Sequence, residues 1–184
     1  VTEAVAVALG LLYVVLAAAG SRWCWPAGGL SAALLAWVSW RAHLPMQALL
    51  QLWYVAMAVY GWRRWSAPAT ARIGFWSWRA HALAVGAALL ASVPLARLLA
   101  GELQSAWPYL DSSTTLLSLV ATWLTARMRL ENWIYWIVID AVLVGLYAAQ
   151  GLRATAGLFI VYLVVCVIGL RTWSRRYRSQ PSPA

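Results

Sequence analysis

One acid in this sequence falls where water is scarce. Asp140 lies near the middle of the apolar run Asn132–Gln150, with Trp133 and Trp136 on the two turns before it. At helical spacing Trp133, Trp136, Asp140 and Tyr147 share one face. An acid at the centre of a spanning helix costs about 2.5–3.5 kcal/mol on insertion scales, so it needs a partner. No Arg lies at that depth in any apolar run. The candidates are a neutral protonated form, hydrogen bonds to hydroxyls, a water-filled cavity or a cationic ligand. Two indoles one turn apart can stack a flat ring, and a positive ring gains about 0.5–2 kcal/mol from their π-faces. Two stacking faces beside a carboxylate describe a pocket for a planar organic cation. The plain alternative is anchoring at the headgroup level, where tryptophans gather and where many of the chain's fourteen belong.

A second polar stripe runs along the segment Pro45–Trp62. Gln47, Gln51, Tyr54, Ala58, Gly61 and Trp65 recur at spacings of three and four, which is one helix face. Thr155, Phe159, Tyr162, Cys166, Gly169 and Trp173 form the equivalent stripe further on. Buried amides need partners from other helices or from a ligand. Gln51 sits deeper than Gln47 and is the better ligand candidate, since polar groups inside a membrane mark pathways.

Other chemistries find little support. Cys24 and Cys166 have no ligand spacing and read as inert buried thiols, so neither a metal nor a cofactor is expected. No P-loop or nucleophile elbow is present. His43 and His81 read as isolated loop histidines near opposite membrane faces, which leaves no catalytic set and no enzyme. The net charge of +9 comes from fourteen arginines in short clusters between apolar runs, a membrane-loop pattern rather than a nucleic-acid surface.

These residues must be positioned by membrane helices. The chain is 64% hydrophobic and 10% charged, against about 25% charged in soluble domains. Seven runs approach the roughly 20 residues that cross a bilayer: Ala4–Ala19, Trp25–Trp40, Pro45–Trp62, Ala80–Ala96, Ser112–Ala126, Asn132–Gln150 and Ala154–Leu170. The fifth is short and rich in hydroxyls, which suits a helix packed against others. The first has a rival reading as a signal peptide ending at Ala17-Ala18-Ala19, but no positive residue precedes it. Seven spans put eleven arginines on one side and three (Arg41, Arg97, Arg153) on the other. The positive-inside rule then places the N-terminus outside and the C-terminus in the cytoplasm.

Shifting the chain by 108 residues superposes Trp25 on Trp133, Tyr54 on Tyr162, Gly61 on Gly169, Arg63 on Arg171 and Trp65 on Trp173. The repeat unit is three helices. Two such units point the same way only if one extra helix joins them, which predicts an all-α integral membrane fold of seven helices arranged 3+1+3. The units are 1–65, a linker helix with its loops over 66–110, a second repeat over 111–173 and a cytoplasmic tail over 174–184. Parallel repeats place a substrate site at their interface.

The opening Glu131-Asn132-Trp133-Ile134-Tyr135-Trp136, the stretch Gln51 to Trp65 and Trp25-Pro26 together resemble the PnuC family of vitamin transporters over nearly the whole chain. The resemblance implies a full-length SWEET-like architecture in the bacterial inner membrane. It implies import of nicotinamide riboside by facilitated diffusion, with cytosolic phosphorylation trapping the product, and assembly as a homotrimer among membrane lipid. It implies a substrate site with Trp133 and Trp136 in its lining and Gln51 as a polar contact. Asn132, Asp140, Tyr54 and Tyr162 complete the expected site. Two departures bear on the substrate: Ala58 stands where many members have an amide, and Asp140 where some carriers have Asn. Thiamine, also a flat cationic ring, is the alternative cargo, and a non-transporting membrane subunit is the alternative from another class.

Overall fold

The computed structural model describes residues 2–43, 45–67, 72–99 and 107–180. Seven α-helices account for them: α1 Thr2–Ala18, α2 Cys24–Arg41, α3 Pro45–Ser66, α4 Trp78–Leu99, α5 Pro108–Ala126, α6 Asn132–Ala149 and α7 Arg153–Arg178. Parts of the expected linker (68–71 and 100–106) and the end of the expected tail (181–184) lie outside the described residues. By length and composition α4, α6 and α7 are each apolar enough to cross a membrane. Helix α1 is apolar but shorter, at 17 residues, and α2, α3 and α5 carry polar residues that the bundle covers.

Helix α5 shows how. Its buried set includes Ser112, Ser113, Thr114, Ser118, Thr122 and Thr125. Thr114, Thr122 and Thr125 donate to carbonyls four residues back at 2.8–2.9 Å, and Ser113 and Ser118 to carbonyls three back. Hydroxyls satisfied on their own helix can be buried at little cost. Pro108 opens the helix, where its missing N–H goes unneeded, so α5 starts four residues before the expected Ser112.

Six helices close a ring. Helix α2 packs between α1 and α3, α6 packs between α5 and α7, and the two sets meet through α1 against α7 and α3 against α5. Helix α4 stands outside the ring against α5. Every described residue with positive φ has a counterpart 108 positions away: Gly20 (65°) with Met128 (52°), and His43 (57°) with Gly151 (75°). The hydrogen bonds match as well. The N–H groups of Gly20 and Met128 reach the carbonyls of Ala17 and Thr125 at 2.8 and 3.0 Å, and those of Ser21 and Arg129 reach Leu16 and Leu124 at 2.9 Å. This is the left-handed cap that ends many helices and suits glycine. Met128 adopts it without being glycine, at the usual steric cost to an L-residue.

Helix α7 runs past the expected end at Leu170 to Arg178, so the expected tail from residue 174 begins as helix. Its last turns are held in place. Tyr177 meets Phe75 edge-on at 4.8 Å, and the Arg176 guanidinium lies against Gly20. The segment ahead of α4 is stitched to the α5–α6 turn: Gly74 N–H donates to the Met128 carbonyl and Leu130 N–H to the Gly74 carbonyl, at 3.1 and 3.0 Å.

Candidate functional site

The ring encloses a cavity of about 350 Å³, walled by residues of all six ring helices and none of α4. That volume falls in the range of about 300–1,000 Å³ typical of small-molecule sites. The periodicity of α6 turns Asn132, Trp133, Trp136 and Asp140 toward it, and that of α3 turns Gln51, Tyr54 and Ala58. Helix α7 adds Phe159, Tyr162 and Cys166. All seven residues singled out from the sequence therefore stand on one cavity. Gln47, on the same stripe as Gln51, is exposed instead.

The seven differ in how free they are. Asn132 is fully buried; its Oδ1 lies 3.1 Å from the Thr125 hydroxyl, and its Nδ2 donates to the Arg129 carbonyl at 2.6 Å. It fastens the α5–α6 turn as well as facing the cavity. Trp133, 2% exposed, presses its indole against Gly169, where an added Cβ would lie 2.7 Å from ring carbons. Trp133 also meets Trp173, which does not line the cavity, edge-on at 5.5 Å. Trp136 is less buried, and its Nε1 donates to the Thr125 hydroxyl at 3.3 Å. The Tyr54 and Ser118 hydroxyls are 2.6 Å apart. The buried Gln51 side chain makes no hydrogen bond among the described residues. An unpaired amide facing a cavity is costly without a ligand or water.

Asp140 is 4% exposed and takes a hydrogen bond from the Cys166 thiol at 3.5 Å. The hydroxyl partners considered from the sequence are not what it finds. Among the described residues no Arg or His lines the cavity, so the acid finds no cation in that wall. Cys166, read from sequence as an inert thiol, belongs to the site. So do Tyr13, Gly28, Ser31 and Thr125, which sequence reasoning missed because they lie on helices brought together only by the fold.

Positions 108 apart in the sequence stand together on the cavity, some alike and some not. Positions 108 apart pair Trp25 with Trp133, but Gly28 with Trp136, Ala32 with Asp140, and Gln51 with Phe159. The Tyr13 ring occupies the space above Gly28, where a Cβ would lie 2.7 Å from its Cδ2.

The reading of His81 as isolated is corrected. On α4, its Nδ1 lies 3.0 Å from the Tyr135 hydroxyl and its Nε2 3.2 Å from Glu131 Oε1, which also accepts from Trp76 N–H at 2.7 Å. This set ties α4 to α6 and stands beside a separate groove outside the ring.

A family model described as nicotinamide mononucleotide transporter matches residues 1–175. The riboflavin/roseoflavin transporter RibM of Streptomyces davaonensis is 29% identical, over 95% of this chain and 85% of its own length. The nicotinamide riboside transporter PnuC of Escherichia coli is 27% identical, over 99% and 88%. The crystal structure of the vitamin B3 transporter PnuC superposes with a TM-score of 0.75 at 25% identity, covering 98% of this chain and 83% of that one.

Proposed function

The chain belongs to the nicotinamide mononucleotide transporter family, a family of transporters rather than enzymes, and from that premise we propose that it carries nicotinamide riboside. The cargo moves down its gradient across a bacterial inner membrane, by facilitated diffusion through alternating access. The two sides of the ring, α1–α3 and α5–α7, act as parallel repeats joined by α4, the 3+1+3 plan of a full-length SWEET-like protein. The matched positive-φ turns and the reciprocal contacts α1–α7 and α3–α5 support that plan. The arginine-rich ends face the cytoplasm.

One observation supports the cargo above the rest. A buried carboxyl group, Asp140, stands in a wall of indoles and phenols that holds no cation among the described residues. A flat cationic ring uses both features, through charge and through π-faces. Trp136 supplies the freer aromatic face, and the Gln51 amide and the Tyr162 hydroxyl are available to the ribose or carboxamide. The likeness to RibM favours a second reading, riboflavin, whose neutral ring would rely on the aromatic wall and leave the charge unused.

Titrating the purified protein with nicotinamide riboside, its phosphorylated form, thiamine and riboflavin tests the choice, followed by uptake into proteoliposomes. Nicotinamide riboside should bind tightest and be taken up. Tighter binding of thiamine or riboflavin would replace this cargo with that one. Binding without uptake would point to a non-transporting subunit.

A further inference from the structure

Two of the cavity's walls rest on a layer of indoles that the cavity does not reach. Trp25 of α2 and Trp133 of α6 line it; Trp65 of α3 and Trp173 of α7 do not. Trp65 meets Trp25 edge-on at 5.4 Å and 89°, and Trp173 meets Trp133 at 5.5 Å and 85°. The outer pair touch each other at 5.6 Å. Each outer indole also bonds across the molecule. Trp65 Nε1 donates to the Ala126 carbonyl of α5 at 3.1 Å, and Trp173 Nε1 to the Ala17 carbonyl of α1 at 3.0 Å. The half that contains one indole thus supplies the acceptor for the other. Trp65 and Trp173 are 6% and 0% exposed, so the layer is dry.

The inner pair is held less completely. Their rings sit in notches left by Gly61 and Gly169, yet neither Trp25 Nε1 nor Trp133 Nε1 has a hydrogen-bond partner among the described residues. A buried N–H without an acceptor raises the free energy of the state that holds it. The outer bonds and the inner orphans therefore pull in opposite directions, as a two-state element requires.

Resting on the alternating-access reading above, we propose that Trp65 and Trp173 are positioning residues of the transport cycle. They clamp the arginine-rich end of the path shut and set Trp25 and Trp133 as walls of the substrate cavity. Opening that end breaks both cross-half bonds together, and the indoles that leave the glycine notches gain access to acceptors. Cargo that presses on Trp25 or Trp133 is thereby felt at the clamp one ring away.

Thiol labelling tests this without any vitamin, so an error in the cargo leaves the result intact. In a Cys24→Ser background Cys166 is the remaining thiol, and it lines the cavity. Right-side-out and inverted membrane vesicles are treated with a membrane-impermeant methanethiosulfonate, the arginine-rich face being fixed independently by a reporter fused after residue 184. Trp65→Phe and Trp173→Phe each keep a ring and lose one N–H. Each should speed labelling from the arginine-rich face roughly fivefold, the worth of one hydrogen bond, and the double variant should multiply the two. Labelling from the opposite face should not rise. Because the two positions are equivalent, either variant carries the test if the other fails to fold. Unchanged labelling in a folded variant, or an equal rise from both faces, would overturn the proposal.

Discussion

Two glycines on α7 should respond oppositely to the same added methyl group. At Gly157 a Cβ would meet nothing within 4 Å, whereas at Gly169 it would come within 2.7–2.8 Å of three Trp133 ring carbons. Gly157→Ala removes the backbone freedom of glycine from a helix and should stabilise by about 0.5–1 kcal/mol. Gly169→Ala gains the same term but overpacks a rigid ring, at about 1–3 kcal/mol. Trp133 has little room to yield, because it is 2% exposed and Trp173 packs edge-on against it at 5.5 Å. The difference between the two variants is therefore about 1–3 kcal/mol. Melting of the purified protein, followed by tryptophan fluorescence, reads the stability, and a ligand titration reads the site. Gly169→Ala should melt below the parent and bind more weakly, since Trp133 lines the cavity; Gly157→Ala should melt at or above the parent with binding unchanged. If Gly169→Ala melts as high as Gly157→Ala, the notch is not tight and Trp133 is not held as described.

Trp136→Ala should weaken cargo binding by about 1–3 kcal/mol, by analogy with base–aromatic stacking, and a titration showing no loss would make Trp136 an anchor only. Asp140→Asn keeps the shape but removes the charge. It should lower affinity for a cationic vitamin by about 1–2 kcal/mol, roughly five- to thirtyfold, with a smaller effect on the neutral reduced analogue; equal small effects on both would take Asp140 out of the site. Glu131→Ala removes the acceptor shared by His81 and the Trp76 N–H, and should lower stability by about 1–3 kcal/mol while leaving cavity binding intact, as melting and titration would show. A reporter fused after residue 184 should be active only if it works in the cytoplasm, and periplasmic activity there would invert the orientation.

Much of this was legible because helical periodicity acts on one helix at a time. Asp140, Trp136 and Trp133 share a face by spacing alone, as do Gln51 and Tyr54, and the fold turns both faces toward one cavity. What spacing could not give was which helix lies opposite. Tyr13 and Ser31 come from α1 and α2, where each stands alone among apolar neighbours and no stripe of polar residues marks a face. Cys166 appeared on the matched stripe, but its bond to Asp140 depends on α6 and α7 packing together. The pairing of His81 with Glu131 spans 50 residues and is set by where α4 docks. Hydropathy also lost the end of α7, since Arg171, Arg175, Arg176 and Arg178 hide a helix that Phe75 and Gly20 hold in place.

The matched positions separate two demands on such a protein. One is packing, and identity between positions 108 apart is kept there: Trp65 and Trp173, which bond across the molecule, Trp25 and Trp133 in the notches of Gly61 and Gly169, and the left-handed caps. The other is recognition of an asymmetric molecule, which needs unlike walls: Tyr54 and Tyr162 match in the cavity, but Gly28 stands against Trp136, Ala32 against Asp140 and Gln51 against Phe159. An exchange such as Ala32→Asp or Phe159→Gln would make the walls alike while leaving the shared contacts untouched. A second acid in the wall that holds Asp140 would also place like charges in one cavity, which disfavours ionisation of both. The asymmetry thus bears on charge as well as on shape, and under the proposed function a cationic cargo has one carboxylate to meet.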